Sequence, residues 1–287
     1  MARIEICIFC GGEIPPSLVE CPDCGKPGSY PNVRAAEDPE ERDALAERYR
    51  LAKENAVSRG CDSAFCNFEA SVSGSNAVLA RSRLDAERLA TSTKELYATY
   101  YARVDAGIRV PDGDEWDIWR RMTDDALFPG YKEQISFAAL SLDGVGLSHY
   151  GHCHMVLKEK MIANRATVFD ENSVIFMRPI TVQRAVILPK GYRASWSDRG
   201  KLATVKMAHE LRPDMPPQVF QELLIKDGDI PEKDRFVEVH IWGKMSIRCF
   251  ERVVMREPKR RRKAARATNK AFEERLGKHG VRLEWIP

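Results

Sequence analysis

"FVEVHIWGKMSIRCFERVVM", residues 236–255, contains two β-rich runs joined at Gly243-Lys244. In the first, Val237, Val239 and Ile241 alternate with Glu238 and His240, the period-two pattern of a strand. Taken alone, that alternation describes an ordinary half-exposed strand, apolar side chains inward and polar ones outward. Working outward, "ISFAALSL" (135–142), "HCHMVLK" (152–158), "ATVF" (166–169), "SVIFM" (173–177) and "AVILP" (185–189) are further short strand candidates. Helix candidates at 197–211 and 216–225 interrupt them. Strands and helices in that order predict an α+β body over residues 131–256, with a mixed or antiparallel split β-core.

The chain before this body has a different character. "CIFCGGEIPPSLVECPDCGKPG" (7–28) holds Cys7, Cys10, Cys21 and Cys24 as two C-x-x-C pairs, each followed by a glycine. Paired thiolates on two tight turns converge on one tetrahedral ion, and the stretch resembles a zinc ribbon over residues 1–30. Such a head holds a structural zinc and folds a terminus or engages a partner. Residues 31–130 read as helical: Asp38-Pro39 opens a helix that stops at Gly60, another is expected from about Ser75 through "NAVLARSRLDAERLA", and Ser92-x-x-Glu95 forms a capping box before "LYATYYARV". "EWDIWRRMTDDALFPGY" adds a further helix. Cys61 and Cys66 lack a second pair and read as buried thiols or, alternatively, as half of a second metal site, with buried thiols favoured.

The 287 residues carry a net charge of +3, but residues 256–287 hold eleven Lys/Arg against four Glu. By subtraction, the rest of the chain is acidic. The segment 257–287 is therefore expected as a basic helical tail that, with the ribbon, offers a surface to RNA or DNA, or to a protein partner. A composition of 44% hydrophobic and 30% charged residues belongs to folded globular chains. No apolar run approaches a membrane span and the start lacks the pattern of a secretory signal, so the expectation is a cytoplasmic protein without membrane association, whose thiols stay reduced. Walker A, G-x-G-x-x-G and G-x-S-x-G patterns are absent, which leaves triphosphate hydrolysis, Rossmann-type hydride transfer and α/β-hydrolase chemistry without support.

The densest polar cluster is "GLSHYGHCHMVLKEKMIANRATVFDENS" (146–173). His149, His152 and His154, with Asp170 or Glu171, would suit a metal-dependent nuclease if the fold brought them together; strand alternation places His152 and His154 on one face. The layout of Tyr150-Gly151, an alternating strand, "NRATVF" and "DENS", followed by "FVEVHIWGKMSIRCFERVVM", resembles bacterial ADP-ribosyltransferase domains. That resemblance implies NAD as co-substrate, Glu238 as the late-strand acid, Ser173 or Thr167 as the Ser/Thr element, and Arg165, Tyr150 or His149 as contacts to phosphate or nicotinamide. It further implies a toxin or effector that modifies a macromolecule. This chain has Phe236 where many members carry Glu or Gln, so the catalytic position falls on Glu238 or on His240. The competing reading is a non-enzymatic zinc-ribbon adaptor that binds nucleic acid through the ribbon and tail.

Overall fold

The computed structural model describes residues 4–110, 113, 115–182, 188–257 and 263–287. At the head, β1 (Glu5–Ile6) and β2 (Glu13–Ile14) form a two-stranded antiparallel ladder. Three helices follow: α1 (Pro31–Ala36), α2 (Pro39–Ser58) and α3 (Asp62–Ser73). Asp38 caps α2 by accepting the Glu40 N–H, and Pro39 supplies the pre-set first turn.

The expected helix from Ser75 is corrected. Asn76–Arg81 is strand β3, and only Arg83–Leu89 is helix, α4, capped by the Ser82 hydroxyl. Alanine and leucine favour helices in isolation, yet "NAVLAR" is flanked on both sides by other strands and buried on both faces, which gives a strand the same continuous apolar character. The Ser92 capping box is also corrected: Ser92 Oγ takes the Lys94 N–H in a turn, and helix α5 (Tyr100–Asp105) begins at Thr99. Helix α6 (Glu115–Leu127) follows as expected.

The body carries β4 (Ile135–Ser141), β5 (Cys153–Leu157), β6 (Ala166–Phe169), helix α7 (Ser173–Val182), β7 (Arg193–Ser195), helices α8 (Arg199–Met207) and α9 (Phe220–Leu224), β8 (Glu238–Trp242) and β9 (Phe250–Arg256). "SVIFM" is thus helix rather than strand. Asn172 Oδ1 accepts the Val174 N–H and starts α7 there, so a capping signal overrides the β-branched run. Of "AVILP", residues 185–187 lie outside the described residues.

Of the basic C-terminal segment, residues 258–262 lie outside the described residues, and residues 263–287 are built into the body. Helix α10 (Lys263–Gly277) buries Phe272 and Leu276, and β10 (Arg282–Ile286) pairs in parallel with β9. The eight strands run in the order β10-β9-β5-β3-β4-β8-β6-β7, antiparallel except at that one edge. β8 lies between β4 and β6, and Glu238 and His240 are each only 3% exposed. The half-exposed reading of this strand is therefore corrected: both faces of β8 are covered.

One feature of the ladder positions the site. β3 pairs with β5 over 78–81, but with β4 only over 76–78, opposite 139–141. Beyond Val78 the two strands part and the sheet opens between them. Among the described residues, no helix is long and apolar enough to cross a membrane.

Helices α2, α3 and α8 cover one face of the sheet, where Phe65 and Phe68 are fully buried and Phe68 meets Phe220 edge-on at 5.1 Å. Phe68→Ala is expected to cost about 3–5 kcal/mol in urea denaturation, the range for emptying an aromatic site in a packed core.

Candidate functional site

The four head thiols form one group with Cys7 and Cys21 buried and Cys10 and Cys24 exposed. Gly11 and Gly25, at φ 76° and 69°, return their N–H groups to the Cys7 and Cys21 carbonyls, closing two similar knuckles. Cys7 Sγ lies 3.6 Å from Cys24 Sγ, as does Cys10 Sγ from Cys21 Sγ. A tetrahedral ion with metal–sulfur bonds of about 2.3 Å spaces its sulfurs about 3.8 Å apart, so the four cysteines fit a structural metal ion. The head is fastened to the body by Arg34 of α1, whose guanidinium donates to Glu5 and to the carbonyls of Pro15, Pro16 and Leu18. Asn32 Nδ2 reaches further, to the carbonyls of Arg165 and His240.

In the body, a cavity of about 150 Å³ opens where β3 and β4 part. Its wall includes Arg81, Tyr97, Arg120, Ser136, Tyr150 and Glu238. Burial opposes ionisation of Glu238, but the His240 ring, the Arg120 charge and the Ser173 N–H outweigh it and hold the carboxyl below its usual range. Glu238 Oε2 takes both the Ser173 N–H and His240 Nε2 at 3.0 Å. Burial likewise works against the Arg120 charge, and the Asp124 and Glu238 carboxylates prevail, keeping the guanidinium above its usual value. The cavity thus joins a fixed anion to a fixed cation. Arg81 adds a second cation: it stacks 4.9 Å above the Tyr97 ring and donates to the Tyr97 hydroxyl, while its Nε has no partner. Ser136 Oγ is also buried and, among the described residues, without a partner.

The residues singled out from sequence scatter around this cavity. Glu238 and Tyr150 line it. His240 stands behind Glu238, packed among Phe128, Phe137 and Phe169. Ser173 contributes its N–H to Glu238, while its hydroxyl is buried without a partner. Thr167 is buried on β6 beside Asn32. Arg165 spends its guanidinium on the carbonyls of Met161, Trp242 and Lys244, tying loop to strand.

The histidines do not converge. His152 is exposed, and His154 is buried with Nδ1 accepting the Gly146 N–H. His149 groups with Asp227 and Asp234, not with Asp170 or Glu171, and those two carboxylates already receive the Ser148 and Gly228 N–H groups. Asp170 pairs instead with Arg48 at 2.9 Å. Cys61 is buried as expected, whereas Cys66 is exposed.

Arg81, Arg120, Tyr97 and Ser136 went unrecognised in the sequence. An arginine at the end of "NAVLAR" carries no local signal, because Glu238, with which it shares the cavity wall, lies 157 positions away and only the sheet order unites them.

Two outcomes follow from these geometries. Purified protein is expected to hold one metal ion per chain by elemental analysis, and Cys21→Ser to lose it; full-chain protein without metal would contradict the four-thiol site. Burial, followed by the charges of His152 and Arg256, pushes the His154 imidazole down to about 4. The unfolded state then binds the extra proton below pH 6.5, so stability falls as pH drops from 6.5 to 4, by about 3 kcal/mol through this group. His154→Asn, which keeps an acceptor for Gly146, is expected to flatten that slope in denaturant titrations. No known family model matches the chain, and no curated protein matches it.

Proposed function

We propose that the protein is an NAD-dependent ADP-ribosyltransferase acting on a macromolecule, as a cytoplasmic toxin or effector does. The observation that carries this reading is the opened sheet, where ionised Glu238 shares a cavity with Arg81 and Arg120. A cavity of about 150 Å³ takes one six-membered aromatic ring, which suits the nicotinamide end of NAD. Tyr97 and Tyr150 would flank that ring, and the unpaired Ser136 hydroxyl would meet its carboxamide. The two guanidiniums would receive the pyrophosphate. Glu238 would accept a hydrogen bond from the ribose and stabilise the positive charge that grows at C1′ as the bond to nicotinamide breaks. A carboxylate already fixed by Ser173 and His240 needs no reorganisation for that task. Tyr97 and Ser136 are additions to the residues implied by resemblance, which already include Tyr150; Arg165 and Thr167 take structural roles in this reading.

The head would hold zinc, the ion that four thiolates in tetrahedral array select, and would present the target to the body. Ile8 and Phe9 on the first knuckle are 88% and 60% exposed, which favours a second reading in which the ribbon binds a partner and the protein is an adaptor.

Incubation with labelled NAD and a cell extract divided into protein, RNA and DNA fractions separates the two. Transfer predicts label in one fraction, reduced about 100-fold or more by Glu238→Gln, which preserves the Ser173 contact but removes the charge. No label from folded, metal-loaded protein contradicts transfer and leaves the adaptor.

A further inference from the structure

Resting on that reading, the geometry points to His149 as the general base that activates the acceptor, with Asp234 as its positioning residue, so that the acceptor is an O–H nucleophile needing deprotonation. His149 Nδ1 lies 2.8 Å from Asp234 Oδ1. That oxygen also receives the Gly228 N–H at 2.8 Å, and the Asp234 side chain is wholly enclosed. A carboxylate fixed in this way accepts from Nδ1–H and leaves Nε2 as the ring's acceptor. The imidazole itself remains about a quarter exposed, so a second substrate can reach it.

The backbone brings this pair to the cavity. His149 belongs to the 3-10 turn Ser148–Tyr150, and Tyr150 lines the cavity with Glu238. The next residue, Gly151, holds φ 136°, and a Cβ there would fall 2.2 Å from the Arg81 carbonyl carbon. The turn is therefore pressed against the end of β3, at the point where Arg81 enters the cavity wall. A second tether, the Ser148 N–H to Asp227 Oδ1 at 2.8 Å, fixes its other side. Among the described residues, the Asp227 and Asp234 carboxylates are the titratable groups that cluster with His149, while the neighbouring Tyr150 phenol feels Glu238, Asp234, Arg120 and Glu232.

The division of labour is complete in atoms. The bond from ribose C1′ to the nicotinamide nitrogen breaks, and its electron pair neutralises the pyridinium. The acceptor oxygen bonds to C1′, and its proton passes to His149 Nε2, which carries away the positive charge. Glu238 supports the cation at C1′, and His149, next along the turn to Tyr150 of the cavity wall, activates the nucleophile.

The test uses water as the acceptor: nicotinamide release from NAD under single-turnover conditions, with NAD affinity measured by calorimetry. His149→Ala is expected to bind NAD as wild type does and to release nicotinamide about 100-fold or more slowly, the scale of a lost general base. Added imidazole is expected to restore part of the rate to His149→Ala and none to Glu238→Gln, an effect that a purely structural histidine would not show. Asp234→Asn keeps an acceptor for both Gly228 and His149 and is expected to lower the rate with unchanged affinity and unchanged melting. Rates within about twofold of wild type for His149→Ala, loss of NAD binding in folded His149→Ala, or failure of imidazole to rescue each overturn the assignment. Wild-type protein that neither binds NAD nor releases nicotinamide overturns the parent reading instead.

Discussion

A carboxylate in the middle of a sheet, covered on both faces, is the constraint around which this molecule is arranged. Glu238 occupies a strand position where the neighbouring residues on the chain, Val237 and Val239, are fully buried apolar side chains. Burying an ionised carboxylate is costly unless charge and hydrogen bonds compensate. Here the compensation comes from His240 two residues along the strand, the Ser173 N–H at the start of α7 and the Arg120 guanidinium of α6. Arg120 is in turn balanced by Asp124 at 3.1 Å and lies over the Phe137 ring at 3.9 Å. Lys206 completes the frame: its ammonium group donates to the carbonyls of Asp170 and Phe236, the stretches leading into Ser173 and Glu238. Such a set of groups is hard to explain as packing alone, since an apolar side chain at 238 would satisfy the sheet with none of them.

The head is coupled to this arrangement through α1, by the Arg34–Glu5 ion pair and by side-chain bonds to backbone carbonyls. Arg34 gathers the carbonyls between the knuckles, and Asn32, two residues before it, donates to the carbonyl of His240, the residue that steadies Glu238. A metal that organises the knuckles therefore also fixes the helix that braces β8. Loss of the ion would be felt at β8 without any direct contact between metal and cavity. The acidic residues Glu5, Glu13, Glu20 and Asp23 of the same segment outnumber its basic ones, so the head is net acidic.

Much of the fold was legible because local patterns and tertiary demand agree. "ATVF" is β6 to the residue, and "ISFAALSL", "HCHMVLK", "FVEVHIW" and "FERVVM" each contain a strand, since their β-branched and aromatic side chains suit a sheet interior. The knuckles were legible because metal ligation writes its spacing into the sequence. Where local and tertiary preferences conflict, the sequence misleads. "NAVLAR" favours a helix until β4 and β5 enclose it, and "SVIFM" favours a strand until Asn172 caps it as a helix. The C-terminal strand β10 went unseen because "RLEWI" alternates too briefly to announce itself, and its pairing partner β9 lies across a helix. Of the site, Glu238 and Tyr150 were legible from the pattern around them. The cations opposite were not, because the divergence of β3 from β4 that admits them is a property of the register.

In the function proposed for this protein, the parting of β3 and β4 is a substrate cleft with Glu238 at its chemical centre. Crystals of the Glu238→Gln protein grown with NAD test this most directly. The nicotinamide ring is expected inside the opening beside Tyr97 and Ser136, the ribose against residue 238 and the pyrophosphate at Arg81 or Arg120. A dinucleotide bound elsewhere, with the opening between the two strands unfilled, would contradict it.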